Sequence, residues 1–190
     1  WAGHVGHQMI PRVVEAIVCH IATATLSSNL GWLTNPASKA SSNYYVAKDG
    51  TIYELVPWQH SAWANGPMNK PDLANALVSS WFRNNINPNT RTISIEHEGE
   101  PGDRLTDAQW HSTGHLIAWL AQETQIAIDR AHILGHYQID SVDRQYCPSF
   151  DGDEWDNSIA LAKADGTTQA PSVPDHLQMP ALDPVQRDGF

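Results

Sequence analysis

One stretch constrains this chain more than any other: Ala16-Ile17-Val18-Cys19-His20-Ile21. It is an unbroken run of strand-forming apolar residues that ends on a histidine. Such a run reads as a buried strand. A histidine at its end is held rigidly at the rim of a sheet, where a ligand to a metal can sit.

The rest of the chain supplies partners for that strand. Tyr44-Tyr45-Val46-Ala47 and Thr51-Ile52-Tyr53-Glu54-Leu55-Val56 flank Lys48-Asp49-Gly50, a good hairpin signal that Pro57 closes. Asp72 to Trp81 is predicted helical, with Leu73, Ala76, Leu77 and Ser80 on one side. Asn84 to Thr90 holds four Asn and a Pro and reads as a loop. Thr92-Ile93-Ser94-Ile95-Glu96-His97-Glu98 alternates as a strand and stops at Gly99. Thr106 with Gln109 forms a capping box for a helix running to about Gln125, with Trp110, Thr113, Ile117 and Leu120 at helical spacing. Residues from Ile126 to Gly135 read as a short connection, part strand, and Trp155 to Ala164 as a last helix. Strands interleaved with helices predict an α/β protein, a central mixed sheet with helices packed on it. From Asp165 on, Pro, Gly, Thr and Asp dominate, so residues 1–165 are expected to fold as one domain and 166–190 to form a linker or tail.

Charge narrows the function. The net charge of -10 argues against nucleic acid as a partner, because phosphate neutralisation needs clustered Lys and Arg. It argues equally against simple electrostatic capture by an anionic wall or membrane. No apolar run approaches the ~20 residues of a membrane-spanning helix. The chain opens on Trp1, as a processed or trimmed start would, and a cleaved signal leaves no trace. Two cysteines, Cys19 and Cys147, are too few for a disulfide scaffold. A bridge between them is disfavoured because Cys19 points to the sheet face opposite His20.

Most of the ten histidines are set aside. His111 and His115, four apart on a helix, fall opposite its apolar side and read as a solvated face. His4, His7 and His176 sit in irregular termini. His97 faces the core with Ile93 and Ile95. Three residues remain: His20, His136 after Gly135, and Cys147 before Pro148. Two imidazoles and a thiolate suit zinc, and three protein ligands leave the open position that catalysis needs. Alternation puts Glu96 with Ser94 and Glu98 on one strand face, where a carboxylate can act as a general base or simply form an acidic edge.

These segments, taken in order, resemble the N-acetylmuramoyl-L-alanine amidases, the family of phage endolysins, bacterial autolysins and peptidoglycan recognition proteins. IVCHIATAT resembles the first metal-ligand strand and SSNYYVAKDGTIYELVP the hairpin. AWANG stands where the family often has a tryptophan-histidine-glycine pattern. TISIEHEGEPGD is similar to the glutamate-bearing strand, LTDAQW to the start of the long helix, and ILGHYQIDSVDRQYCPS to the second metal segment. The resemblance spans roughly residues 13–160. It implies a mixed sheet with flanking helices and Zn2+ at the sheet rim, held by His20, His136 and Cys147, with His132 the rival for the second place. It implies Glu96 as the catalytic carboxylate, and Gln145 or Arg144 as the donor that steadies the oxyanion. Asn43, Trp63 and Arg144 become candidate substrate contacts. Trp58 and Trp81 are further aromatic candidates, each with a core placement as the alternative. Asn43 stands where the hairpin often has His, and Ala64 replaces the histidine of the tryptophan motif. The implied activity is hydrolysis of the amide between N-acetylmuramic acid and L-alanine in peptidoglycan, by a monomer that is secreted or otherwise acts at the cell wall. A non-catalytic peptidoglycan-binding module of the same fold is the rival reading, and the presence of Cys147 favours the enzyme.

Overall fold

The computed structural model describes residues 12–148 and 152–166 and the backbone of 177–178. The readings for residues 1–11, including His4 and His7, and for His176, lie outside these. Six strands form one sheet: β1 (Ala16–Ala22), β2 (Tyr44–Val46), β3 (Ile52–Glu54), β4 (Thr92–Glu98), β5 (Ile133–Gly135) and β6 (Leu177–Gln178). Their order is β5-β1-β4-β2-β3-β6. β1 runs parallel to both β4 and β5, β2 runs parallel to β4, and only the β2–β3 hairpin is antiparallel. The mixed α/β sheet expected from the sequence is therefore present, with β1 and β4 as adjacent interior strands.

Both faces of the sheet are covered, which explains why β1 is apolar throughout. Ile17, Cys19, Ile93 and Ile95 point into one core with Leu116, Ile117 and Leu120 of α3 (Asp107–Thr124) and Trp155 and Ile159 of α4 (Gly152–Asp165). Ala16, Val18 and Leu134 point to the other face, under Val78 and Trp81 of α2 (Ala76–Arg83). Farther along that face, Tyr45, Ala47 and Leu55 pack beneath Leu26, Leu30 and Leu33 of α1 (Leu26–Leu33).

Local chemistry sets the element ends. Thr106 Oγ1 accepts from Gln109 N, and Gln109 Oε1 accepts from Thr106 N, completing the capping box. Gln109 is fully buried because its amide also donates to the carbonyls of Val46 and Glu98, tying α3 to the sheet. At the hairpin, Gly50 takes φ +86°, a left-handed conformation that L side chains rarely adopt. The helix expected from Asp72 begins only at Ala76. Asp72 spends its carboxylate on Ala74 N in a turn, and Asn75 caps Leu77 N and Val78 N. Leu73, which precedes the helix, is accordingly 50% exposed. The loop 84–90 contains a short 3-10 turn at Pro88–Thr90. The segment read as tail contributes β6, whose two residues pair with Ile52 and Tyr53 at the sheet edge.

Candidate active site

Parallel strands aim their carboxyl ends in one direction, and the crevice beyond those ends is where open α/β sheets bind ligands. His20 lies near the end of β1 and Glu96 near the end of β4, directly opposite each other in register and on the same face. His136 follows the last residue of β5. Cys147 approaches from the loop after Asp140 and is anchored by the Ile21 amide, which donates to Sγ at 3.4 Å. Gly135 makes this convergence possible: a Cβ there would lie 2.3 Å from the Tyr137 ring.

His20 Nδ1 lies 3.0 Å from His136 Nδ1 and 4.0 Å from Cys147 Sγ, and the three donor atoms all fall within 4.8 Å of one another. Donors bonded to one zinc at ~2.0–2.3 Å must lie roughly this far apart. The protonation pattern fits as well. His136 Nε2 donates to the Asn65 carbonyl at 2.7 Å, which leaves a bare lone pair on Nδ1. Burial holds the His136 imidazolium down to about 4 and the His20 imidazolium well below its ordinary value, so both rings are neutral at physiological pH. His97 backs the site from the core side. It bridges the His20 carbonyl, through Nδ1, and the Thr113 hydroxyl of α3, through Nε2, at 2.9 Å each. It is the satisfied buried histidine that strand alternation suggests.

Glu96 Oε1 stands 4.0 Å from His20 Nδ1, and its side chain is only 15% exposed. Burial raises its carboxyl to about 7, against the opposing pull of Arg144. Glu96 Oε2 and His20 Nε2 are buried without a hydrogen-bond partner among the described residues. Glu96 Oε2, buried beside the three-donor cluster, suits a site that holds an ion with a water on it. Glu98 is committed elsewhere, accepting from Lys48 N at 2.8 Å.

Around the cluster opens a cleft of about 630 Å³, lined by α1, Ser41, Trp63, Glu96 and the segment Asp143–Cys147. Trp63, Arg144 and Gln145 line it. Asn43 does not. It is fully buried, its Oδ1 accepting from Ser94 N and its Nδ2 donating to the carbonyls of Val56 and His60. It locks the hairpin to β4 and has no amide group left for a substrate. Trp81 is core on the α2 face, and Trp58 packs partly buried against the core on the α3 face. His132, the rival ligand, is turned to Asp129 at 2.6 Å. His111 and His115 lie exposed on α3, His111 against the Asp107 carbonyl and His115 against Asp165. Both cysteines are free thiols. Sequence reasoning missed α1, whose Ser28, Asn29, Trp32 and Leu33 form one wall of the cleft. It also missed Asn65, which acts through its backbone carbonyl and so has no side-chain signature.

A sheet-rim cluster of two neutral imidazoles and a thiol, beside a carboxyl raised by burial to about 7, in an open cleft, defines a hydrolytic α/β protein able to hold a catalytic metal. The chain belongs to the N-acetylmuramoyl-L-alanine amidase family (Amidase_2), whose profile matches residues 10–150. The activity that goes with this membership is hydrolysis of the amide joining N-acetylmuramic acid to L-alanine in peptidoglycan. Solved structures share the fold. A mutant endolysin from Bacillus subtilis is 22% identical with a TM-score of 0.54, over 84% of this chain and 94% of that one. The hydrolase AmiA from Staphylococcus aureus is 18% identical with a TM-score of 0.56, over 82% and 77%. The amidase AmiD from E. coli, solved with anhydro-N-acetylmuramic acid-L-Ala-D-gamma-Glu-L-Lys, is 22% identical with a TM-score of 0.52, over 71% and 52%. No curated protein sequence matches the chain.

Proposed function

We propose that the chain is a zinc-dependent amidase in which His20, His136 and Cys147 hold the metal and Glu96 moves the proton. The observation that carries this is the convergence of the three donor atoms on one cleft wall with Glu96 beside them. A zinc ion held there supplies Lewis acidity to the scissile carbonyl and to the attacking water. Glu96 accepts the proton of that water as its oxygen bonds to the carbonyl carbon. It then delivers the proton to the alanine nitrogen as the C–N bond breaks, leaving a free muramic acid carboxylate and a peptide amine. A carboxyl raised to about 7 suits both halves of that task. Arg144 and Gln145, which line the cleft, donate to the carbonyl oxygen as it gains charge and to substrate groups nearby. Trp63 offers a ring to the substrate.

The work site is the bacterial cell wall, and the acting form is a monomer whose catalytic domain is residues 1–165. Among the described residues no helix is long and apolar enough to cross a membrane. The test combines metal analysis with amine release from a defined muramoyl peptide. The wild type should carry one zinc per chain and release the peptide amine. Cys147→Ser should lose zinc and turnover together. Full turnover with no bound metal, or zinc retained in Cys147→Ser at wild-type affinity, overturns the assignment.

A further inference from the structure

The cleft is divided by charge. Leaving out the metal cluster and Glu96, its lining falls into two parts. One part is the end of β1 and the turn after it, α1, the Ala40–Ser41 and Trp63–Ala64 pairs, and Pro101. Among the described residues, no lining side chain in that part is ionisable, and α1 (LSSNLGWL) carries no charge at any position. The other part is the segment 143–146, which brings Asp143 and Arg144.

Two large aromatic rings project into the neutral part. Trp32 is 58% exposed and Trp63 is 44% exposed, although both line the cleft. Each sits on a fixed backbone. Trp63 is tied to Ser41 twice, Ser41 N donating to its carbonyl at 3.1 Å and its own N donating to Ser41 Oγ at 2.9 Å. α1 is pinned from below by Asn29, which donates to the Tyr45 hydroxyl and the Ala24 carbonyl. Ser28 and Trp32, four apart, present a hydroxyl and an indole on one helix face. A pyranose ring needs this pairing: an apolar C–H face to lie on an aromatic ring, and neutral hydroxyls and amides that want uncharged partners. A stem peptide carrying a glutamyl carboxylate and a diamino acid needs the opposite, and finds it in Arg144 and Asp143.

Resting on the amidase reading above, we infer that Trp32 is a specificity residue for the glycan. It stacks on a sugar next to the scissile muramoyl group, so the strand lies along α1 and the stem peptide leaves across segment 143–146. The reaction would then favour stems still attached to a glycan strand over free muramoyl peptides.

The test uses zinc-loaded protein and three substrates. The first is a trisaccharide with the muramoyl tripeptide flanked by N-acetylglucosamine on both sides. The second is the muramoyl tripeptide alone. The third is the trisaccharide with the stem cut back to L-alanine. Trp32→Ala should raise KM for the first about tenfold, the equivalent of ~1.4 kcal/mol, with kcat unchanged. It should leave the second unaffected and damage the third as much as the first. Trp32→Phe should restore most of the loss. Asp143→Asn should do the reverse, damaging the two tripeptide substrates and sparing the third. Equal damage by Trp32→Ala to the first and second substrates, or damage that disappears when the stem is cut back, overturns the inference. No turnover of any substrate by the zinc-loaded wild type overturns the amidase reading itself.

Discussion

Glu96→Gln separates chemistry from stability, because the two should move in opposite directions. The substitution keeps the shape and removes the proton acceptor. Loss of a general acid–base residue typically lowers turnover by ~10²–10⁴. Zinc content should stay at the wild-type level, because Glu96 lies beside the ligands and is not one of them. Stability follows from burial. The carboxyl rises from 4.5 to about 7 in the folded chain, so the fold disfavours its charge. The sign is fixed by linkage: the folded state binds the proton more tightly, so wild-type stability falls as pH rises from 4.5 to about 7 and stays reduced above that. At ~1.36 kcal/mol per pH unit, the charge costs roughly 3 kcal/mol at pH 8 and roughly 1 kcal/mol or less at pH 5. Glutamine carries no charge, so metal-free Glu96→Gln should exceed wild type by those amounts. The assays are urea unfolding of chelator-treated protein at the two pH values, and amine release by the zinc-loaded forms. Near-normal turnover would refute the catalytic role. A Gln variant no more stable than wild type at pH 8 would refute the burial argument. Glu98→Gln, whose parent carboxylate already accepts from Lys48 N, should leave turnover close to wild type.

Three further outcomes are expected. Metal-free protein should lose stability as pH falls below 6.5, because His20, His97 and His136 are all held below their ordinary value by burial, His97 and His136 to about 4. The unfolded chain binds those protons first, so each residue adds a slope of up to ~1.4 kcal/mol per pH unit; a flat urea midpoint between pH 6.5 and 4.5 would contradict this. Gly114→Ala should destabilise by about 1–3 kcal/mol, since its Cβ would lie 2.9 Å from Leu161 Cδ2 and 3.0 Å from the Ser158 carbonyl on α4; thermal melting that does not shift would show that the α3–α4 contact has slack. Removal of residues 167–190 should leave turnover of soluble muramoyl peptide intact and cost little stability, because β6 adds only two residue pairs at the sheet edge; loss of turnover on truncation would make the tail part of the catalytic unit.

What the sequence makes legible tracks how locally each feature is encoded. β4 matches its predicted span because its alternation, Ile93 and Ile95 to the α3 face and Ser94 and Glu96 to the other, is written residue by residue. The α3 start is equally legible, since a capping box needs only Thr106 and Gln109. α1 was not legible. LSSNLGWL is short and contains Gly and two Ser, and it is helical because Leu26, Leu30 and Leu33 cover Tyr45 and Ala47, a tertiary cause. The early start expected for α2 failed because Asp72 and Asn75 both take turn roles that a periodicity count does not weigh.

The site divides in the same way. Its donors announce themselves by residue type, and two histidines at the ends of apolar strands with a cysteine in the following loop have few other uses. The groups that orient those donors do not. His136 is fixed by the carbonyl of Asn65, and that carbonyl is fixed in turn by side chains far away in sequence. Asn89 Oδ1 accepts from Ala64 N and Asn65 N, and Asn65 Nδ2 donates to Thr92 Oγ1, which donates to the Pro88 carbonyl. Any residue at position 65 has a carbonyl, so its role is invisible until the chain is folded. The loop 84–90, which reads in sequence as an Asn-rich connection, is thus the frame that sets the tautomer of a metal ligand. Asn89→Ala removes the acceptor for two backbone amides without touching the cleft. It should weaken zinc binding by about 10- to 100-fold, the usual cost of losing an orienting partner, while turnover at saturating zinc falls much less. Competition with a zinc chelator measures the first and amine release at excess zinc the second. An unchanged zinc affinity would mean that His136 is positioned by the β5 turn alone.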